Sequence, residues 1–174
     1  YLIESELGAG AMGVVYKAVH VEKNREVALK TISKEAIARG GKTVERFFRE
    51  IKLLEQFRHP NIVRYLGEGR YQGINYLVME YISGTTLENV IKNNGPIDWV
   101  TAVRYAAQLC SALDYAHSHS VVHRDLKPSN LMINDQGKLK LTDFGIAKDL
   151  RERNSPRRAA PSAPPRTWRR SRSP

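Results

Sequence analysis

Four short stretches place residue types at spacings that could handle a phosphorylated nucleotide. The first is GAGAMGVV, residues 8–15, with Gly8, Gly10 and Gly13 between two strand-like segments. Glycine lets a backbone approach phosphates with no Cβ in the way, although a tight hairpin would use the same residues. The chain runs straight on as a strand, VVYKAV, which suits a flap over a nucleotide better than a dinucleotide-binding turn that must open a helix. The second stretch is VALK, residues 27–30, which sets Lys30 in an apolar strand. A buried ammonium is costly without a counter-charge, unless its stem carries it to the sheet edge. Glu50, on or beside the apolar stripe of the following helix, is the obvious partner, and the pair would fix a phosphate-binding cation beside the glycines. The third is HRDLKPSN, residues 123–130. Asp125 could orient or accept a hydroxyl proton, Lys127 neutralise a transferring phosphoryl group, and Asn130 ligate a divalent metal, while His123 reads as a packed histidine. The fourth is TDFG, residues 142–145, where Asp143 follows a short strand and is placed to hold Mg²⁺ against phosphate oxygens. Each alone passes as a turn or as loop polarity; their order and joint spacing are the specific signal.

That set resembles the motifs of the eukaryotic-like protein kinases, in the family's order, over residues 1–150. GAMGVVYKA, HPNIV, LVMEYISG and DFGIAK are similar to the bacterial serine/threonine branch, and Lys127, placed just after Asp125, resembles the serine/threonine signature. The resemblance implies an α+β, bilobal protein-kinase fold with a complete β-rich N-lobe (1–82) and a partial helical C-lobe (83–150). It implies ATP-dependent phosphoryl transfer to protein serine or threonine hydroxyls, with ATP and Mg²⁺ as cofactors and a protein, the chain itself included, as substrate. The alternative is a non-catalytic, ATP-binding pseudokinase module. By the same resemblance Leu7, Val15 and Ala28 would pack the adenine from above and Met132 from below. Gly8, Gly10 and Gly13 would cover the phosphates. Backbone groups of Glu80 and Ile82 would read the adenine edge, with Met79 as gatekeeper. Lys30, oriented by Glu50, would hold the α/β-phosphates; Asp125 and Lys127 would act at the transferring group; Asn130 and Asp143 would hold the metal. Leu54, Tyr65, His123 and Phe144 would stack as a spine between the lobes, and Arg124 resembles that of kinases switched on by phosphorylation.

The elements that must position these residues are legible from periodicity. Alternation predicts strands at 2–7, 14–20 and 26–32, then near 62–71 and 75–81. Val44, Phe47, Phe48, Ile51 and Leu54 recur at helical spacing. The hinge between halves falls at Glu80–Gly84. SGTTLENVIKNNG suggests a short helix, and Asp98 can cap a longer one. That longer helix carries Trp99, Val103, Ala106, Ala107, Cys110, Leu113 and His117 on one side, which reads as its core face. A small hairpin, LMIN and LKLTD, separates the last two motifs.

Charge is uneven. Of the +10 overall, residues 151–174 carry eight Arg and one Glu, a net +7, so residues 1–150 carry only +3. The body is therefore not a basic nucleic-acid binder, and no specific nucleic-acid partner is expected. A single cysteine, Cys110, fits a reducing compartment and a core position. No apolar run approaches a membrane span, and the expected location is cytoplasmic. The first residue, Tyr1, suggests a fragment, and the family's pattern stops after Leu150, as if truncated. The arginine- and proline-rich residues 151–174 predict disorder. They also predict an out-of-frame origin. Thr167–Ser173 can be encoded as ACATGGCGCCGGAGCAGATCC, which from its third base reads Met-Ala-Pro-Glu-Gln-Ile. That string resembles the family's missing activation-segment end. A chain truncated there is expected to be inactive.

Overall fold

The computed structural model describes residues 1–10, 13–32 and 44–144; the side chains of residues 44–47 and of Glu50 fall outside that description. The disordered-tail and out-of-frame expectations for 151–174 therefore lie outside the described residues, as does the outer half of the helical stripe, Val44 and Phe47.

The first half is a five-stranded antiparallel sheet in the order β1-β2-β3-β5-β4, with β1 Leu2–Gly10, β2 Gly13–His20, β3 Arg25–Ile32, β4 Tyr65–Tyr71 and β5 Ile74–Glu80. Two-residue alternation sorts its side chains. Val15 pairs with Lys30, and Ala28 with Met79, on one face. Ala18, Val27, Leu29 and Val78 form a separate buried cluster on the other. Helix α1, Val44–Glu55, lies against β4 and buries Ile51 and Leu54. Each such side chain contributes about 1.5–3 kcal/mol of apolar burial.

The second half begins at β6, Gly84–Thr86, which joins β7, Leu131–Asn134, and β8, Leu139–Leu141, in a three-stranded sheet. Gly84 is required there: its φ is +151°, and a Cβ would meet the Ile133 carbonyl oxygen at 2.1 Å. Helix α2, Leu87–Asn94, starts where the Thr86 hydroxyl accepts from Asn89 N–H at 3.1 Å. Helix α3, Trp99–Ser118, starts where the Asp98 carboxylate accepts from Thr101 N–H at 3.0 Å, the predicted cap.

The two halves share one core. Ile51, Leu54, Phe57, Tyr65 and Met79 from the first pack in one cluster with Ala112, Ala116, Leu139, Leu141 and Phe144 from the second. Backbone bonds stitch the seam: Val63 N–H to Leu141 O and Leu141 N–H to Asn61 O, both 2.8 Å. Buried Asn61 adds side-chain bonds from Nδ2 to Leu139 O at 2.7 Å and to Gln108 Oε1 at 2.9 Å.

One expectation is corrected. Helix α3 does not bury the side carrying Trp99, Val103 and Cys110; Trp99 is 77% and Val103 61% exposed, and Cys110 is exposed too. The packed side carries Tyr105, Leu109, Ala112 and Ala116, and of the residues expected to face the core only Leu113 packs with them. This helix is apolar on both sides, so periodicity could not choose between them. Gln108 settles it by accepting the β8 amide of Leu139 at 2.9 Å.

Candidate active site

A cleft of about 940 Å³ opens between the two halves. Its roof is the end of β1, the start of β2 and the inner face of the five-stranded sheet. Gly8, Gly10, Gly13, Leu7, Val15, Ala28 and Lys30 line it there. Met79, Glu80 and Ile82 form its back wall, and Met132 its floor. Asp125, Lys127, Asn130 and Asp143 converge at its mouth. Every predicted site residue except Glu50 thus lines one cavity; the Glu50 side chain lies outside the described residues.

The three glycines differ. Gly13 has φ +145°, and a Cβ there would sit 1.9 Å from the Thr31 carbonyl oxygen, so the fold itself demands glycine. At Gly8 and Gly10 a Cβ would meet nothing within 4 Å among the described residues. Packing against the described residues therefore does not require glycine at either position. Thr31, which the sequence reading missed, pins the start of β2: its Oγ1 accepts from Val14 N–H at 2.9 Å and donates to Val14 O at 3.1 Å. Its only sequence signal is a hydroxyl one position past the lysine.

Lys30 is buried and its Nζ donates to Asp143 Oδ1 at 2.6 Å. Asp143 holds a left-handed backbone, φ 55°, which is unusual for a residue other than glycine. The structure therefore supplies a carboxylate for the buried ammonium from the far end of the sequence. Tyr65 lies alongside; burial, and then the Asp143 charge, push its hydroxyl well above the ordinary phenol range, against a lowering hydrogen bond to the Phe144 backbone.

The loop 123–130 is held from behind. His123 is buried, stacks on Phe144 with ring centroids 4.8 Å apart, and donates from Nε2 to Thr142 O at 2.8 Å. That leaves Nδ1 as acceptor toward Asp125 N–H, at 3.4 Å. Burial holds its imidazole below the usual 6.5, outweighing the Thr142 carbonyl and the Asp125 and Asp143 charges. Asn130 donates from Nδ2 to Asp125 O at 2.8 Å and to Asp125 Oδ2 at 3.3 Å. Lys127 Nζ stands 3.4 Å from Asp125 Oδ2. Arg124, like Asp143, has a left-handed backbone, φ 60°.

Among the described residues no group of three or more His, Cys, Asp or Glu could by itself hold a metal ion. Asp143 and Asn130 offer one carboxylate and one amide oxygen. That donor set fits Mg²⁺, which takes one or two protein oxygens and completes its shell from phosphates and water, and fits no ion needing a full protein cage. Among the described residues no helix is long and apolar enough to cross a membrane.

The chain is similar to known proteins over most of its length. A family model described as the protein kinase domain matches residues 1–164. A probable serine/threonine-protein kinase of Clostridium acetobutylicum is 42% identical over 152 residues, covering 87% of this chain and 23% of the relative. The serine/threonine-protein kinase PrkC of Bacillus subtilis is 40% identical over 150 residues, 86% of this chain and 23% of the relative. A crystal structure of Rad53 in complex with AMP-PNP matches with a TM-score of 0.73 and 33% identity, over 83% of this chain and 38% of that one. The chain thus spans about a quarter of the length of the curated relatives named here.

Proposed function

The chain belongs to the protein kinase domain family, and on that premise we propose that its cleft binds ATP with Mg²⁺ and serves phosphoryl transfer to serine or threonine hydroxyls of a protein. The observation that carries the reading is the Lys30–Asp143 contact across the mouth of a cleft roofed by glycines. A cation for phosphate and a carboxylate for metal stand together there, with Asp125 and Asn130 at the same mouth.

In this reading adenine lies between Ala28 and Met132, with its edge toward the backbone of Glu80 and Ile82. Gly8 and Gly10 admit the phosphates under the turn. Lys30 exchanges its direct contact with Asp143 for α/β-phosphate oxygens. Bound Mg²⁺ would neutralise charge on the phosphate oxygens, held by Asp143 and Asn130. The acceptor hydroxyl oxygen attacks the γ-phosphorus as the bond to the β–γ bridging oxygen breaks. Asp125 takes the hydroxyl proton, Lys127 steadies the transferring group, and ADP leaves. Glu50 orients Lys30 from α1.

A second reading, nucleotide binding without transfer, is favoured by the bare apolar side of α3 at Trp99 and Val103. Both are tested by ³²P transfer from [γ-³²P]ATP to the chain itself and to a generic basic protein. The comparison is a version that restores the Met-Ala-Pro-Glu reading of Thr167–Ser173. We expect labelled phosphoserine or phosphothreonine from the restored version and little from the chain as it stands. No transfer by either, with ATP binding intact, would favour the second reading.

A further inference from the structure

Glu80 stands at the end of β5, where the chain crosses from one half to the other. A single oxygen of its carboxylate, Oε1, takes two donors: Arg64 N–H at 2.9 Å and Lys140 Nζ at 2.6 Å. The Glu80 N–H in turn donates to Arg64 O at 2.9 Å. Lys140 sits in the middle of β8, directly across the ladder from Met132. Cross-strand partners share a face of a sheet. Here that is the face toward the cleft, because Met132 lines it while Leu139 and Leu141 are buried on the other side. Lys140 therefore reaches from the cleft floor to the strand that forms its back wall. Side-chain exposure of the pair is 18% and 20%, so water screens it less than an open surface pair. At the next residue of the crossing, the Lys17 ammonium, itself paired with Glu4 and Glu26, stands over the Tyr81 ring at 5.0 Å. The crossing segment is thus gripped by one lysine from each half.

We propose that Lys140 is a positioning residue: through Glu80 it fixes the back-wall backbone against the β7–β8 floor, and so sets how strictly the cleft reads the edge of a purine. The inference rests on the nucleotide reading above. An edge-reading backbone discriminates an amino-bearing purine from a carbonyl-bearing one only if its donor and acceptor cannot shift to suit either. Lys140 touches no part of a base lying on Met132; it acts through Glu80.

The test is isothermal titration of the 174-residue chain with ATP and with GTP, each with Mg²⁺, for the unaltered protein, Lys140→Met and Lys140→Arg. We expect Lys140→Met to lower the ratio of ATP to GTP affinity about fivefold, the size of one partly screened ion pair. Lys140→Arg keeps the charge and reach and should restore the ratio. A merely structural defect would weaken both nucleotides alike and leave the ratio unmoved. An unchanged ratio in Lys140→Met, while the unaltered chain prefers ATP, would overturn the proposal. Amide hydrogen exchange at Arg64 and Glu80, measured without nucleotide, forms the second arm. Exchange should quicken in Lys140→Met and recover in Lys140→Arg, and equal rates in all three would overturn the proposed grip. Failure of the unaltered chain to bind either nucleotide would overturn the nucleotide reading, and with it the purine role, while exchange still decides whether Lys140 holds the back wall.

Discussion

Lys30 and Asp143, 113 positions apart in the chain, meet with Nζ 2.6 Å from Oδ1. One lies in the middle of β3, the other just past β8, so the contact closes the cleft across both halves of the protein. It also ties a buried cation to a backbone held at positive φ. The same two groups are those that a triphosphate and its metal would separate.

Separating them predicts a division of labour at the mouth of the cleft. In the restored version, Asp125→Asn should cut phosphoryl transfer by about 100-fold or more, the scale of one lost general base, with ATP affinity nearly unchanged. Asp143→Asn should instead weaken the Mg²⁺-dependent part of ATP binding. Transfer rates together with titrations with and without Mg²⁺ distinguish the two; equal losses of nucleotide affinity would contradict the assignment.

The glycines should separate folding from binding. Gly13→Ala forces a Cβ against the Thr31 carbonyl at positive φ, and strain of about 1–3 kcal/mol should appear as a lower unfolding midpoint. Gly10→Ala has open space among the described residues and should leave the midpoint nearly unchanged while weakening ATP binding. Thermal melts with and without ATP measure both. A Gly10→Ala protein with lower stability and normal ATP affinity would reverse the picture.

Legibility from sequence followed distance along the chain. The strands of the first half were readable because each is a short run rich in apolar and β-branched residues bounded by glycine or polar turn residues, not because burial alternates: β3 buries Val27, Ala28, Leu29 and Lys30 in a row. The Asp98 cap was readable because donor and acceptor lie three residues apart. Lys30 was readable as a buried cation, but its observed partner was not, since nothing local links β3 to Asp143. The Glu80–Lys140 contact, 60 positions apart, was invisible for the same reason. Helix α3 was misread because Tyr105, Leu109, Ala112 and Ala116 repeat as well as Trp99, Val103 and Cys110 do. Only the bonds that Gln108 and Asn61 make to β8 fix which side faces in.

His123 should make stability depend on pH. Burial lowers its folded-state pKa below the unfolded value of 6.5, so the unfolded chain binds the proton more readily. The stabilisation is full above that value and is lost as pH falls through it. His59, also lowered by burial, adds in the same direction. Urea unfolding between about pH 7 and about pH 5 should show stability falling with acidity, with a shallower slope in His123→Asn. Identical slopes in the two proteins would contradict the role given to His123.

The origin of residues 151–174 is decided by DNA. The coding sequence for Thr167–Ser173 should contain ATGGCGCCGGAG, allowing synonymous bases, in another frame. An alternate frame that gives no Ala-Pro-Glu, or that soon meets a stop, would return the segment to being a basic arm in its own right.

The most direct measurement is calorimetric titration of the chain with ATP in the presence and absence of Mg²⁺, alongside Lys30→Met. We expect one ATP bound per chain, tightened by Mg²⁺, with binding abolished or reduced by at least about tenfold in Lys30→Met, the scale of a lost charge-assisted bond. An unaltered chain that binds no ATP, or a Lys30→Met protein that binds it equally well with and without Mg²⁺, would contradict the claim that this cleft is an ATP site.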